Sequence, residues 1–374
     1  MRKRKWIYGL ICVCLAVFLT SCGKDKGSGT ESETGTQAAP TETAGEDETE
    51  EPTESAEKHE GEARSLLTGK WIDEELLLVR PVAVMVENTS MSLPQYGLAK
   101  ADVVYECPVE GGITRLMPIY QDYSGMDKIG NIRSCRLYYV YFAKEFDALY
   151  FHSGQSKYAL DVLNSSFIDN VNGITGKGGA FYYQDKSRKM PHNTYTSSEL
   201  IAAGIERHGY ADKLDETAAS HYRFAAEEAP NLLAQGEDAA VVALYYANPK
   251  PWFEYNAEDG RYYRFQFKAA QVDALTGEQL AADNIIIQNC KSSLKDKSNG
   301  TLDIDHRSGG TGIFITRGKA IDITWTRESD SARTRYFDAS GAEIELNPGV
   351  TWVEITENSY AAKNVIYKTR EEYK

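Results

Sequence analysis

Cysteine is scarce in this chain, with six in 374 residues. Three of them, Cys12, Cys14 and Cys22, fall in or just after an apolar N-terminal segment. Cys107, Cys135 and Cys290 remain, an odd and sparse set that makes no disulfide framework. A bond between Cys107 and Cys135 is conceivable, but three buried thiols are the simpler reading. No C-x-x-C or H-x-x-x-H spacing occurs, and the scattered histidines and cysteines give no reason to expect a metal. G-x-S-x-G, a Walker A loop and G-x-G-x-x-G are also missing, so no cofactor is expected. Ser292-Ser293-Leu294-Lys295 matches S-x-x-K, but no K-T-G accompanies it and it reads as chance. There is no internal repeat of a few tens of residues. Positive charge is in deficit too: 41 Lys and Arg stand against 55 Asp and Glu, a formal charge of −14. That balance argues against nucleic acid as a partner.

The chain opens with MRKRKWIYGLICVCLAVFLTSCGK. A basic start precedes an apolar run, Ile7 to Leu19, too short to span a bilayer comfortably; this is the layout of a secretory signal segment. Leu19-Thr20-Ser21-Cys22 resembles a bacterial lipobox, in which small residues precede a cysteine that is acylated and becomes the new N-terminus. The expectation is a signal peptide over residues 1–21 and acyl chains, palmitate among them, on Cys22. Loss of the four basic residues in that segment takes the formal charge from −14 to −18. Residues 22–64 then read as a disordered acidic tether. Gly23 to Arg64 holds thirteen acidic and four basic residues and no aromatic one, and cannot bury enough apolar surface to fold. A flexible chain of this length spans roughly 35 Å.

The rest divides by composition near Glu227 to Glu237, EEAPNLLAQGE. Over residues 65–230, strand-like runs such as RPVAVMVEN, ADVVYECPV and ITRLMPIYQDY alternate with two helix-like ones. These are Leu137 to Phe146 and Ser197 to Gly209, the second with a serine N-cap and a glycine stop. Over residues 237–373 nearly everything reads as short strands between turn signals, suggesting an antiparallel sandwich or barrel. The fold class expected is α+β: a mixed α/β N-terminal domain, then a mostly antiparallel β domain. Glu237 to Tyr373 is expected to fold by itself.

GLAKADVVYECPVEGGITRLMPIY, IGNIRSCRLYYVYFAKEFDALYFHSG and GGTGIFITRGKAIDITW are long phrases. They resemble the two domains of the YerB-like lipoproteins of Gram-positive bacteria, over nearly all of the chain beyond the tether. The resemblance implies a two-domain, surface-exposed lipoprotein and little chemistry, since it brings no catalytic residues with it.

Candidate site residues come from three clusters. In VEGGITR, a one-residue bulge at Gly111-Gly112 would put Arg115 on the face of Glu106 and Glu110; a hairpin turn there, with charges at its rim, is the commoner outcome. In IRSCRLYY, Arg133, Ser134 and Arg136 precede a helix and suit phosphate or carboxylate, although surface pairing with Glu145 or Asp147 is the commoner outcome. In DALYFHSGQS, Asp147, His152, Ser153 and Ser156 mark a strand end, where a lone histidine is more often structural than a base. His192 with Asn193 is similar. The adjacent tyrosines read as β packing first and as sugar-stacking surfaces second.

The candidate ligand site is therefore Glu106, Glu110, Arg115, Arg133, Ser134, Arg136 and His152, with lipidation at Cys22. The function expected is a lipid-anchored protein on the extracellular face of the cell membrane that binds an envelope polymer or partner protein. The alternative is a hydrolase or transferase acting on wall glycan, peptide or anionic polymer.

Overall fold

The computed structural model describes residues 59–373; the expectations for the signal segment, for Cys22 and for most of the tether lie outside them. Strand Glu62–Arg64 pairs antiparallel with Trp71–Asp73, so ordered structure begins inside the segment that composition assigned to the tether. The reason is local: the Arg64 guanidinium lies 4.3 Å from the Trp71 ring centroid and donates to Gly69 O.

The main strands are β1 (Val82–Val84), β2 (Val86–Asn88), β3 (Val103–Pro108), β4 (Thr114–Tyr120), β5 (Leu149–His152) and β6 (Asn170–Asn172). Beyond the composition break come β7 (Val241–Ala243), β8 (Trp252–Asn256), β9 (Arg261–Gln266), β10 (Asn284–Cys290), β11 (Gly310–Thr316), β12 (Lys319–Thr326), β13 (Thr351–Glu357) and β14 (Val365–Tyr367). Two helices matter here, α1 (Leu137–Lys144) and α2 (Ser198–His208). Strand dominates, and helices are few and short.

A mixed sheet runs through the molecule in the order β12, β11, β10, β13, β3, β4, β1, β5, β6, with β2 also on β4. Its centre is three parallel neighbours: Glu354 of β13 lies opposite Glu106 of β3 and Ile287 of β10. The sheet therefore crosses the composition break, and the strands after the break do not all form a separate sandwich. β14, β7, β8 and β9 build a second, antiparallel sheet, with Ala269–Ala270 and Ala281–Ala282 also paired to β9, and β10, β11 and β12 pair antiparallel within the mixed sheet.

Strand alternation sorts the faces. Tyr105, Cys107, Met117, Ile286 and Val353 point to one side, where α1 covers them with Tyr138, Tyr139 and Phe142. This helix is apolar nearly all round because it is buried nearly all round. Val104, Leu116, Ile285 and Trp352 point to the other side, where Val242, Phe253 and Tyr262 of the second sheet cover them. α2 has the predicted caps: Ser197 Oγ accepts from Leu200 N–H, and Gly209 closes the helix at φ 70°. Cys107, Cys135 and Cys290 are free and buried.

Candidate functional site: an arginine cluster at a hairpin end

Gly111 and Gly112 make the turn of a hairpin. β3 and β4 pair antiparallel from Val103↔Ile119 to Pro108↔Thr114, and a single 3-10 turn, Glu110–Gly112, joins them. Both glycines lie at positive φ, 76° and 71°, where a side chain would be strained. The bulge geometry is not adopted, and with an intact ladder Glu106 and Arg115 fall on opposite faces.

Arg115 lies on the α1 side, opposite Glu87 of β2 in the register, and donates through Nη1 to Ser134 O. It is buried, and burial first, then the Arg136 and Arg133 charges, lower its pKa to about 10. Three guanidinium groups thus crowd one hairpin end. Arg136 pairs with Glu110, with Nε 2.8 and 2.6 Å from the two carboxylate oxygens. Arg133 donates from Nη1 to Pro191 O, and its Nε stands 3.8 Å from Glu87 Oε2 without a hydrogen-bond partner. Glu87 also receives His192 Nδ1, at 2.8 Å from both oxygens, and the Thr89 hydroxyl at 3.0 Å. Sequence reasoning passed over Glu87; its signal was an acidic residue in step with the buried Ala83 and Met85.

Glu110, Ser134 and Arg136 line a cavity of about 420 Å³ together with Ser156, Lys157 and Thr301. Ser156 Oγ is buried there and has no partner. Arg115 stands behind the wall, and Arg133 lies to the side, with Glu87 and His192.

Two candidate residues leave the site. His152 is fully buried; Nδ1 meets Gly154 O at 2.8 Å and Nε2 meets Asn170 Oδ1 at 3.2 Å, and desolvation lowers its pKa. It is a hydrogen-bonded structural histidine. Glu106 faces the second sheet, where Arg264 Nη2 reaches it while Arg264 Nη1 lies 3.0 Å from Glu354 Oε1. Asn88 and Thr114 also donate to Glu106, and Tyr246 donates to Glu354. The side chains of Glu106, Arg264 and Glu354 are completely buried. Burial and the Glu106 charge push Glu354 up to about 8. Among the described residues no group of His, Cys, Asp and Glu is placed to hold a metal.

Sequence profiles of one family match in two pieces. The N-terminal domain of a protein of unknown function (DUF3048) matches residues 67–211, and the corresponding C-terminal domain matches residues 241–353. The candidate lipoprotein YerB of Bacillus subtilis (strain 168) is 33% identical over 306 residues, 79% of this chain and 87% of its own length. The crystal structure of YerB from Bacillus subtilis is similar with a TM-score of 0.70 and 29% identity, covering 79% of this chain and 96% of that one. No described helix is long and apolar enough to cross a membrane. By identity, coverage and fold, the chain belongs to the DUF3048 family that includes YerB.

Proposed function

We propose that the protein is a lipid-anchored receptor on the extracellular face of the cell membrane, binding an anionic envelope ligand at the arginine cluster. The carrying observation is the convergence of Arg115, Arg133 and Arg136 at one hairpin end, with Arg136 in the wall of a cavity. Three guanidinium groups against two carboxylates, Glu87 and Glu110, leave a local excess of positive charge in a chain of formal charge −14. Guanidinium forks match carboxylate and phosphate geometry, so the ligand is a wall peptide carboxylate, a phosphate-bearing polymer or an acidic partner loop. Acyl chains on Cys22 would supply the anchor and residues 22–64 the reach.

Co-sedimentation of residues 52–374, the compact unit, with purified wall fractions tests the reading. Wild type is expected to sediment and Arg136→Ala to stay in solution, with no soluble fragments released from the wall. Equal sedimentation of the two proteins rejects the arginine site; released fragments favour an enzyme.

A further inference from the structure

A second cavity lies where three parallel strands end. β3 ends at Pro108, β10 at Cys290 and β13 at Glu357, side by side and in the same direction. Their connections diverge: β3 turns back through Gly111-Gly112, β10 runs on into Ser292 and Ser293, and β13 enters a 3-10 turn, Asn358–Lys363. The crevice left between them holds about 460 Å³. Crevices at the carboxyl ends of parallel strands, where successive connections part, are where open sheets bind ligands. Glu110 belongs to the walls of both this cavity and the Arg136 cavity.

The lining chemistry is specific. Tyr245 and Tyr360 form an aromatic wall, with ring centroids 5.3 Å apart, and Lys363 Nζ sits 4.4 and 4.8 Å from the two rings. Glu357, held by the Ser292 hydroxyl at 2.6 Å, and Glu110, held by Arg136, supply carboxylate oxygens with acceptor capacity left over. The floor is fixed, because the hydroxyls of Thr114 and Tyr246 are committed to the buried Glu106 and Glu354. Lys363 lies against the tyrosine rings while Glu110 and Glu357 keep free acceptor oxygens, so the cavity favours hydrogen-bond donors, and an apolar ligand would desolvate the carboxylates without returning a hydrogen bond. A pyranose ring satisfies both demands, offering a C–H face to the tyrosines and hydroxyl donors to the carboxylates.

We propose that this cavity is a saccharide subsite, and that the whole ligand is an acidic oligosaccharide. One ring rests against Tyr245 and Tyr360, and its acidic substituent passes Glu110 to reach Arg136. The second half of this assignment rests on the anion-binding reading of the arginine cluster; the first half does not.

Calorimetric titration of residues 52–374 separates them, using inorganic phosphate, chitotetraose, and a tetrasaccharide of alternating N-acetylglucosamine and N-acetylmuramic acid. The acidic tetrasaccharide should bind more tightly than chitotetraose. Tyr360→Ala, at a side chain 39% exposed whose loss leaves the melting curve in place, should weaken both saccharides at least about tenfold, one aromatic contact's worth, and leave phosphate unaffected. Arg136→Ala should abolish phosphate binding and reduce the acidic tetrasaccharide to the level of chitotetraose. Phosphate binding with no saccharide binding, or saccharide binding indifferent to Tyr360→Ala, overturns the subsite and spares the arginine reading. Absence of both phosphate and saccharide binding overturns both. Tyr360-dependent binding of pentalysine in place of the sugars assigns the cavity to a basic peptide and also overturns the subsite.

Discussion

The β3–β4 hairpin carries buried charge on both of its faces, and the two faces treat it oppositely. On the second-sheet side, Glu106, Glu354 and Arg264 form a closed set of two carboxylates and one guanidinium with no exposure, flanked by Asn88, Thr114 and Tyr246. On the α1 side, Arg115, Arg133 and Arg136 face Glu87 and Glu110, Arg133 Nε has no hydrogen-bond partner, and a cavity opens beside Arg136. A closed network has nothing left to offer a ligand. It fixes which strands meet, because its members come from both sides of the composition break. The open cluster has unspent hydrogen-bonding capacity and an entrance.

The strongest way to break this comparison is to separate the members of the closed network. Composition suggests that Glu237–Tyr373 folds alone. In the sheet, however, β13 loses β3 as a neighbour when the N-terminal region is removed, and Arg264 and Glu354 lose Glu106. The isolated fragment is therefore expected to give no cooperative thermal transition by circular dichroism. A sharp, reversible melt would show that the network is dispensable and that the two regions are independent.

Next in size is Arg264→Met in residues 52–374. Removing one partner from a buried ion pair costs about 3–5 kcal/mol, because the Glu106 carboxylate is left without its guanidinium in a dry interior. Urea unfolding should show that loss, and adding Glu106→Gln and Glu354→Gln to the same protein should recover part of it. A cost below about 1 kcal/mol for the single change would mean that water reaches the site.

A smaller effect follows from the Glu354 proton. Its folded pKa is raised from 4.5 to about 8, so the folded state holds a proton that the unfolded state has released. That stabilisation is complete below about pH 4.5, fades as pH rises, and is gone above about pH 8. The slope is at most about 1.4 kcal/mol per pH unit for one proton. Wild type should therefore lose stability between about pH 5 and pH 8, and Glu354→Gln should be flatter over that window. Parallel pH profiles would place the proton elsewhere.

What could be read in advance was whatever depends on local periodicity. The faces of Val103 to Pro108 and the caps at Ser197 and Gly209 follow from spacing alone; the meeting of Glu110 with Ser134 and Arg136 at one cavity does not, because Glu110 leaves the strand alternation in the turn. What could not be read was which distant strand each face meets. Glu106 looked like a ligand residue because nothing in its own segment showed Arg264 arriving from β9. Tyr262, Arg264 and Gln266 are alternate residues, all buried, so the alternation of RYYRFQF did carry a hint that Arg264 points inward. His152 looked reactive at its strand end, but Asn170 on the adjacent parallel strand takes its outer nitrogen. Parallel pairing between remote segments leaves no mark in either segment.

The smallest expected effect on stability is the one that most sharpens the comparison. Arg133 sits at the open face, with its side chain 23% exposed and its Nε 3.8 Å from a Glu87 carboxylate already held by His192 and Thr89. Glu87 keeps those two partners when Arg133 is removed, so it is not stranded as Glu106 would be without Arg264. Arg133→Ala should therefore shift stability by no more than about 1 kcal/mol, as for a substitution near the surface, and relieve part of the repulsion on Arg115. Wall-fraction binding should weaken in the same protein, because one of three converging guanidinium groups is gone. Urea curves and co-sedimentation on a single preparation decide the matter. A stability loss approaching that of Arg264→Met would make the arginine cluster a second closed network, and the two faces of the hairpin would then be alike.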